Sequence, residues 1–166
     1  MARRGVLRLG LDVRHDAGVR IEPLGREWYD AAVALWHETG LTRPWNDPDA
    51  DLRRALAGPS STVLGAFDGG VLTGTAMVGH DGHRGWVYYL GVAPAARRRG
   101  VGSALMRAAE AWVLERDVPV VNLMIRSGND AAVAFYATLG YEVGDITTMG
   151  RRLDGTVRGR EGERRE

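Results

Sequence analysis

The sequence predicts a mixed α/β fold: a mostly antiparallel sheet holding one parallel pair of strands, with helices on both faces. Three observations carry this. Between residues 86 and 125, an apolar and aromatic run, a helical pattern and a second apolar run follow one another. Such a strand–helix–strand crossover forces its two strands to be parallel, with a right-handed connection. Upstream, two short glycine-bearing turns separate three strand-like runs, which suits hairpins. Several other stretches space their apolar residues by three and four, as helices that bury one face do. Layering helices on both faces of the sheet buries all of these patterns at once.

Taken in order, residues 1–18 are punctuated by Arg and Gly without a sustained period and read as an N-terminal extension or an edge strand over 6–13. Residues 19–24 alternate apolar and polar and end at Pro23, a strand. Residues 27–39 form a helix, with Trp28, Ala32, Leu35 and Trp36 on one face and Gly40 as the stop. Pro44 and Pro48 block its continuation. A short helix over 49–57 follows, closed by Gly58-Pro59. Strands over 62–67 and 71–80 flank Asp68-Gly69-Gly70, and Asp81-Gly82-His83-Arg84-Gly85 turns into a strand over 86–92. A helix over 102–117 places Leu105, Ala109, Trp112 and Val113 together, and Pro119 precedes a strand over 120–125. A helix over 129–139 ends at Gly140, a C-terminal cap. Residues 141–153 read as a final strand, and 154–166, dominated by Gly, Arg and Glu, as a disordered charged tail. A single domain over 19–153 is expected, without internal repeats.

Composition narrows the chemistry. The chain has 166 residues, 45% apolar and 26% charged, ordinary for one globular domain. No apolar run reaches the roughly 18–20 residues that span a bilayer, and no signal-type apolar segment follows the first arginines, so a cytoplasmic protein is expected. With no cysteine, thiol catalysis and Cys-ligated metals are excluded. A net charge of +1 gives no basic excess of the kind nucleic-acid binding uses. All 22 basic residues are arginine, which rules out Schiff-base chemistry and any lysine-dependent phosphate loop.

The stretch with chemical content is Tyr88-Tyr89-Leu90-Gly91-Val92-Ala93-Pro94-Ala95-Ala96-Arg97-Arg98-Arg99-Gly100-Val101-Gly102-Ser103. A buried strand feeds a loop whose glycines stand just before a helix. The unpaired amides at such a start converge, and the helix dipole favours an anion there. Arg97, Arg98 and Arg99 add charged donors, so a diphosphate or similar anion fits. A glycine-rich turn with solvated arginines is the other reading. A dinucleotide fingerprint fails because Leu105 stands where a third Gly or Ala is needed. A P-loop fails for want of lysine.

Arg97-Arg98-Arg99-Gly100-Val101-Gly102 and the later Asn129-Asp130-Ala131-Ala132-Val133-Ala134-Phe135-Tyr136-Ala137-Thr138-Leu139-Gly140-Tyr141 together resemble the GNAT superfamily of acyl-CoA-dependent N-acetyltransferases. The resemblance covers about residues 19–153. Within the family, residues 41–48 and 81–85 are similar to the small bacterial YpeA-type proteins. The resemblance implies the GNAT acyl-CoA N-acyltransferase fold. In it the strand over 86–92 carries a bulge and splays from its parallel neighbour, leaving backbone of Leu90, Gly91 and Val92 for the pantetheine arm of acetyl-CoA, the cosubstrate. It implies further that the pyrophosphate sits on Arg97, Arg98, Arg99, Gly100, Val101, Gly102 and Ser103, and that a strand amide near Leu90 or Val92 polarises the acetyl carbonyl. Tyr136 then occupies the general-acid position near the sulfur, though a tyrosine packed beside Phe135 is also a common core feature. Asn129 contacts CoA or caps its helix.

The general base is less defined. Some relatives carry a Glu where Met124 stands, and others use groups at the places of Trp86 and Tyr88; none of these is a base at neutral pH. Asp47, Glu22, His80, His83 or a chain of waters remain. The connection between the first two helices lines the acceptor pocket in this family, which points to Trp45, Asn46 and Asp47, together with Tyr88. An aromatic beside an acid suits an amine. Pro44-Trp45 anchoring the loop, with Asn46-Asp47 opening a turn, fits equally. The expected activity is direct acetyl transfer to a primary amine of a small molecule or protein. The alternative is an acyl-CoA-binding module that has lost turnover. No ligand spacing for a metal exists; a homodimer is compatible with the family.

Overall fold

The computed structural model describes residues 13–14 and 18–155. Six strands form one sheet in chain order: β1 (Val13–Arg14), β2 (Arg20–Pro23), β3 (Ser61–Asp68), β4 (Val71–His80), β5 (Gly85–Val92) and β6 (Val121–Leu123). Neighbours pair antiparallel except β5 and β6, which are parallel, as the crossover requires. The helices are α1 (Tyr29–Glu38), α2 (Pro48–Leu56), α3 (Val101–Leu114) and α4 (Asp130–Ala137).

Strand periodicity divides the core in two. On β3, Leu64 and Ala66 join Ala76, Val78 and Val87 beneath α3, which contributes Ala104, Leu105, Ala109 and Val113. The alternate residues Val63 and Phe67 face the other way, onto Ala32, Trp36, Leu52 and Ala55 of α1 and α2. Each fully buried large side chain, such as Trp36, Leu52 or Leu105, contributes roughly 1.5–3 kcal/mol by leaving water. The two layers clamp β3, β4 and β5 from both faces.

Several expectations need correction. The first helix opens with a 3₁₀ turn, Arg26–Trp28, before α1 proper. The third begins at Val101 and stops at Leu114, where Asp117 takes a left-handed φ of 58°. The strand expected over 120–125 is shorter, because its partner β5 diverges after Val87 and leaves Met124 without a ladder. No strand forms over 141–153. Val143, Ile146, Met149 and Leu153 are 82–95% exposed, and their spacing of three and four residues supplies no alternating face for a sheet. That segment is held instead by Tyr141 Oη donating to Glu110 Oε1 at 2.8 Å and Arg152 Nη1 donating to the Trp45 carbonyl at 2.6 Å. At the N-terminus, Val13 and Arg14 pair with Ile21 and Arg20. Residues 6–12 of the expected edge strand, and 156–166 of the expected tail, lie outside the described residues.

Candidate active site

β5 is where the sheet opens. Its parallel ladder with β6 covers Gly85, Trp86 and Val87 and then stops. From Tyr88 to Val92 the strand pairs with β4 alone. The Ala93 amide donates to the Thr73 carbonyl on the β4 side at 2.9 Å. Strand alternation therefore turns the N–H groups of Val92 and Leu90 to the opposite, open edge. Gly91 packs beneath Thr39 and Leu41 at the end of α1.

A bulge sits at the same place. Thr75 pairs with Gly91 and Met77 with Tyr88, so Tyr89 and Leu90 together oppose Ala76. Tyr89 has a φ of 49°, a left-handed conformation that a bulky residue keeps only when its surroundings hold it. They do. The buried Trp36 Nε1 donates to Thr75 Oγ1 at 2.8 Å, and that hydroxyl donates to the Tyr89 carbonyl at 3.2 Å. The Tyr89 ring stacks on Trp36 with centroids 4.1 Å apart, and its hydroxyl donates to Asp51 Oδ2 at 2.7 Å. Burial first, and then Asp51, pushes the Tyr89 hydroxyl up to about 12. The bulge also brings consecutive side chains, Tyr88 and Tyr89, to one cavity.

The loop after β5 forms the second part. Arg98 and Gly100 are both left-handed, with φ of 62° and 79°, and Gly100 is the residue before α3. Alternating backbone of this kind makes a concave set of amides that suits an anion. The Ala104 amide closes the first helical bond onto Gly100 at 3.0 Å. The amides of Val101, Gly102 and Ser103 precede it, and no side chain caps them. Val101 buries its side chain in the core. The arginines divide their work. Arg97 Nε donates to the Val92 carbonyl at 3.3 Å, and Arg99 pairs with Asp68 at 2.9 Å. The two glycines differ as well. Gly100 is needed for its φ, whereas a Cβ on Gly102 would stand 3.3 Å from the Phe135 ring, so Gly102 also lets α4 pack close.

Tyr136 of α4 lines a cavity of about 470 Å³ together with Met124, Arg126, Val133 and Tyr141. Its ring meets Phe135 and Tyr141 edge-on at 5.0 and 5.7 Å, and burial pushes its hydroxyl up to about 12. Asn129 caps α4, its side-chain oxygen accepting from the Ala132 amide at 3.2 Å, while also lining this cavity.

On the α2 side lies a second cavity of about 530 Å³, lined by Asn46, Asp51, Arg54, His80, Asp81, Trp86, Tyr88 and Tyr89. Of the residues expected around the acceptor, Asn46 and Tyr88 are brought together here. Asp47 is spent on capping α2, accepting from the Ala50 amide at 3.0 Å, and Trp45 gives its carbonyl to Arg152. Among the candidate bases, Glu22 pairs with Arg20 on β2. His83 sits in the β4–β5 turn beside Arg84, and His80 accepts the Gly82 amide at 3.2 Å on Nδ1. Asp51 and Thr75 escaped the sequence reading, which took Trp36 only as part of a helix face and Tyr89 only as part of the strand. The bulge itself was expected from the family resemblance, but not that it would bring Tyr88 and Tyr89 to one cavity. The Asp81 carboxylate is held down to about 2 by the Arg84 and His83 amides, which makes it a turn-fixing group.

Among the described residues no group of three metal-ligating side chains occurs, and no helix is long and apolar enough to cross a membrane. The model of the Acetyltransferase (GNAT) family matches residues 26–141. An acetyltransferase of Pectobacterium atrosepticum is 42% identical over 125 residues, covering 75% of this chain and 89% of that one. An acetyltransferase of Yersinia enterocolitica is 41% identical with the same coverage. Among solved structures, the AAC(6')-Iy complex with a CoA-S-monomethyl-acetylneamine bisubstrate analog superposes with a TM-score of 0.70 at 18% identity, covering 81% of this chain and 97% of that one. The ribosomal-protein-S18-alanine N-acetyltransferase of Escherichia coli does so with 0.61 at 21% identity, covering 74% and 76%. These likenesses in fold agree with the family match, and the chain belongs to the GNAT family of acetyltransferases.

Proposed function

We propose that this acetyltransferase moves an acetyl group from acetyl-CoA directly to a primary amine, with the carrier along the open edge of β5 and the acceptor in the cavity beside α2. The observation that carries the reading is the strand edge itself. From Tyr88 to Val92 one side of β5 has no ladder, and that edge runs straight into the amide concavity at the start of α3. A narrow amide-bearing arm ending in a diphosphate matches both features in sequence.

Acetyl-CoA supplies an activated thioester. The residues present fit it: the N–H groups of Leu90 and Val92 would hold the arm, and the amides of Val101, Gly102 and Ser103, with Arg98, would hold the phosphates. An amide fixed on the edge is pre-aimed to stabilise negative charge growing on a carbonyl oxygen, without reorganising. Tyr136 holds its proton through neutral pH, so its hydroxyl serves as the donor to a departing sulfur. The bulge fixes where the edge amides point, and the Trp36–Thr75 bridge fixes the bulge.

The AAC(6')-Iy complex and the S18-alanine enzyme bear acceptor names of two kinds, a small amine and an alanine of a ribosomal protein. Both belong in the assay. Free thiol release from acetyl-CoA, measured against aminoglycosides, simple alkylamines and N-terminal alanine peptides, tests the reading. Saturable, amine-dependent release is expected with at least one class. Tight CoA binding with no release for any amine would make the chain an acyl-CoA-binding module instead.

A further inference from the structure

We infer that Asp51 is the acceptor-recognition residue, selecting a primary amine in its protonated form and seating it against the aromatic wall made by Tyr88, Tyr89 and Trp86. The inference rests on reading the cavity beside α2 as the acceptor side. Asp51 stands one turn beyond the helix-capping Asp47, and it is the acid that α2 presents to that cavity. Its side chain is 24% exposed, open enough to meet a ligand yet sheltered enough to feel little screening.

Both carboxylate oxygens are engaged, and the two engagements differ. Oδ2 accepts from the Tyr89 hydroxyl at 2.7 Å, which aims the group and ties it to the bulge. Oδ1 pairs with Arg54, whose side chain is 68% exposed. Such a pair with a solvated arginine contributes little, so an ammonium arriving inside the cavity can take its place. The other charged or titratable groups lining the cavity do not compete. Asp81 has its oxygens on the His83 and Arg84 amides and on Trp86 Nε1, and His80 holds the Gly82 amide. An ammonium near Asp51 would lie beside the rings that line the same cavity, where cation–π attraction adds to the charge pairing. The Asp51–Tyr89 bond ties the position of the amine to the bulge. This residue acts by binding and orienting; proton removal from the amine is left to solvent or a second group.

The test uses the full chain saturated with CoA and compares calorimetric binding of phenethylamine with that of 2-phenylethanol, which has a hydroxyl in place of the ammonium. The wild type is expected to prefer the amine by about ten-fold or more, a modest value for a sheltered charge pair. Asp51→Asn is expected to erase that preference while changing CoA affinity by less than about two-fold. Asp49→Asn removes the same charge from the same helix, at a residue that pairs with Arg53 outside the cavity, and is expected to keep the preference. No preference in the wild type, a preference that survives Asp51→Asn, or equal loss in both variants would overturn the inference. Thiol release with phenethylamine is read in parallel. Asp51-dependent binding without release from phenethylamine or any amine of the panel above leaves the inference standing and defeats the transferase reading, whereas release without Asp51-dependent binding does the reverse.

Discussion

The edge of β5 that faces β6 and the face of β5 that looks toward α2 are separated by the thickness of one strand, yet they are made of different material. Along the edge the donors are backbone: the amides of Leu90 and Val92 and those at the start of α3, presented by a bulge, a left-handed Arg98 and a left-handed Gly100. On the face the groups are side chains, with Asp51, Tyr88, Tyr89 and Trp86 contributed by α2 and β5. In the proposed reading the backbone donors hold the acyl carrier, and they demand particular conformations, met here by Gly100 at a φ of 79°. In the proposed reading the side chains select the acceptor, and one of them, Tyr89, is also part of what holds the bulge. The Trp36–Thr75–Tyr89–Asp51 chain of contacts is the link between the two.

The sharpest way to break this contrast is to damage the backbone donors while leaving the cavity beside α2 untouched. Replacing Gly100 and Gly102 together by Val is expected to weaken CoA binding at least about 100-fold, since it removes both a left-handed residue and close backbone approach to phosphates. Calorimetry checks this, with circular dichroism to confirm that α3 still forms. Retained affinity would take the anion role away from this loop.

Tyr136→Phe should lower kcat by about 100-fold, the lower range of general-acid catalysis, with CoA affinity nearly unchanged. Because burial lifts this hydroxyl to about 12, the protonated acid form persists through pH 10, and loss of the proton sets in only as pH approaches 12. A pH–rate profile of the wild type should therefore show no alkaline fall due to Tyr136 below about pH 11. An unchanged kcat in the Phe variant, across pH, would return Tyr136 to a packing role beside Phe135 and Tyr141.

A smaller effect is expected from Thr75→Val, which keeps the shape and removes the hydroxyl joining Trp36 to the Tyr89 carbonyl. The buried indole N–H then has no acceptor, at a cost of about 1–3 kcal/mol in stability. The link between the two regions predicts more than that: kcat should fall at saturating substrate while the chain stays folded at assay temperature. Denaturant unfolding and steady-state kinetics on one preparation separate the two effects. Loss of stability with kcat intact would mean that the bridge supports the core and leaves the edge untouched.

The same contrast explains what the sequence could and could not reveal. The glycine loop and the parallel crossover were legible, because left-handed turns and right-handed connections constrain residue types strongly. Asn129 was legible by its capping chemistry, while the acid role of Tyr136, assigned by its place in a motif, is the subject of the Phe substitution above. Asp51 was not. The helix over 49–57 could be read, but which of its acids turns toward β5 depends on how α2 packs on β3, a non-local fact. Asp47 drew attention for its position beside Trp45 and proved to be the helix cap. The final strand over 141–153 was misread because its apolar residues, at 141, 143, 146, 149 and 153, do not alternate, and β6 offers only three residues to pair with.

The central claim, that an unpaired strand edge and a helix start together receive the acyl carrier, is tested most directly by a backbone-amide NMR titration of the wild-type chain with CoA. Saturable shifts and slowed hydrogen exchange at Leu90, Val92, Val101, Gly102 and Ser103, with Thr75 and Gly91 on the β4 side unaffected in exchange, are the predicted result. Tight binding that leaves those five amides unprotected would contradict it.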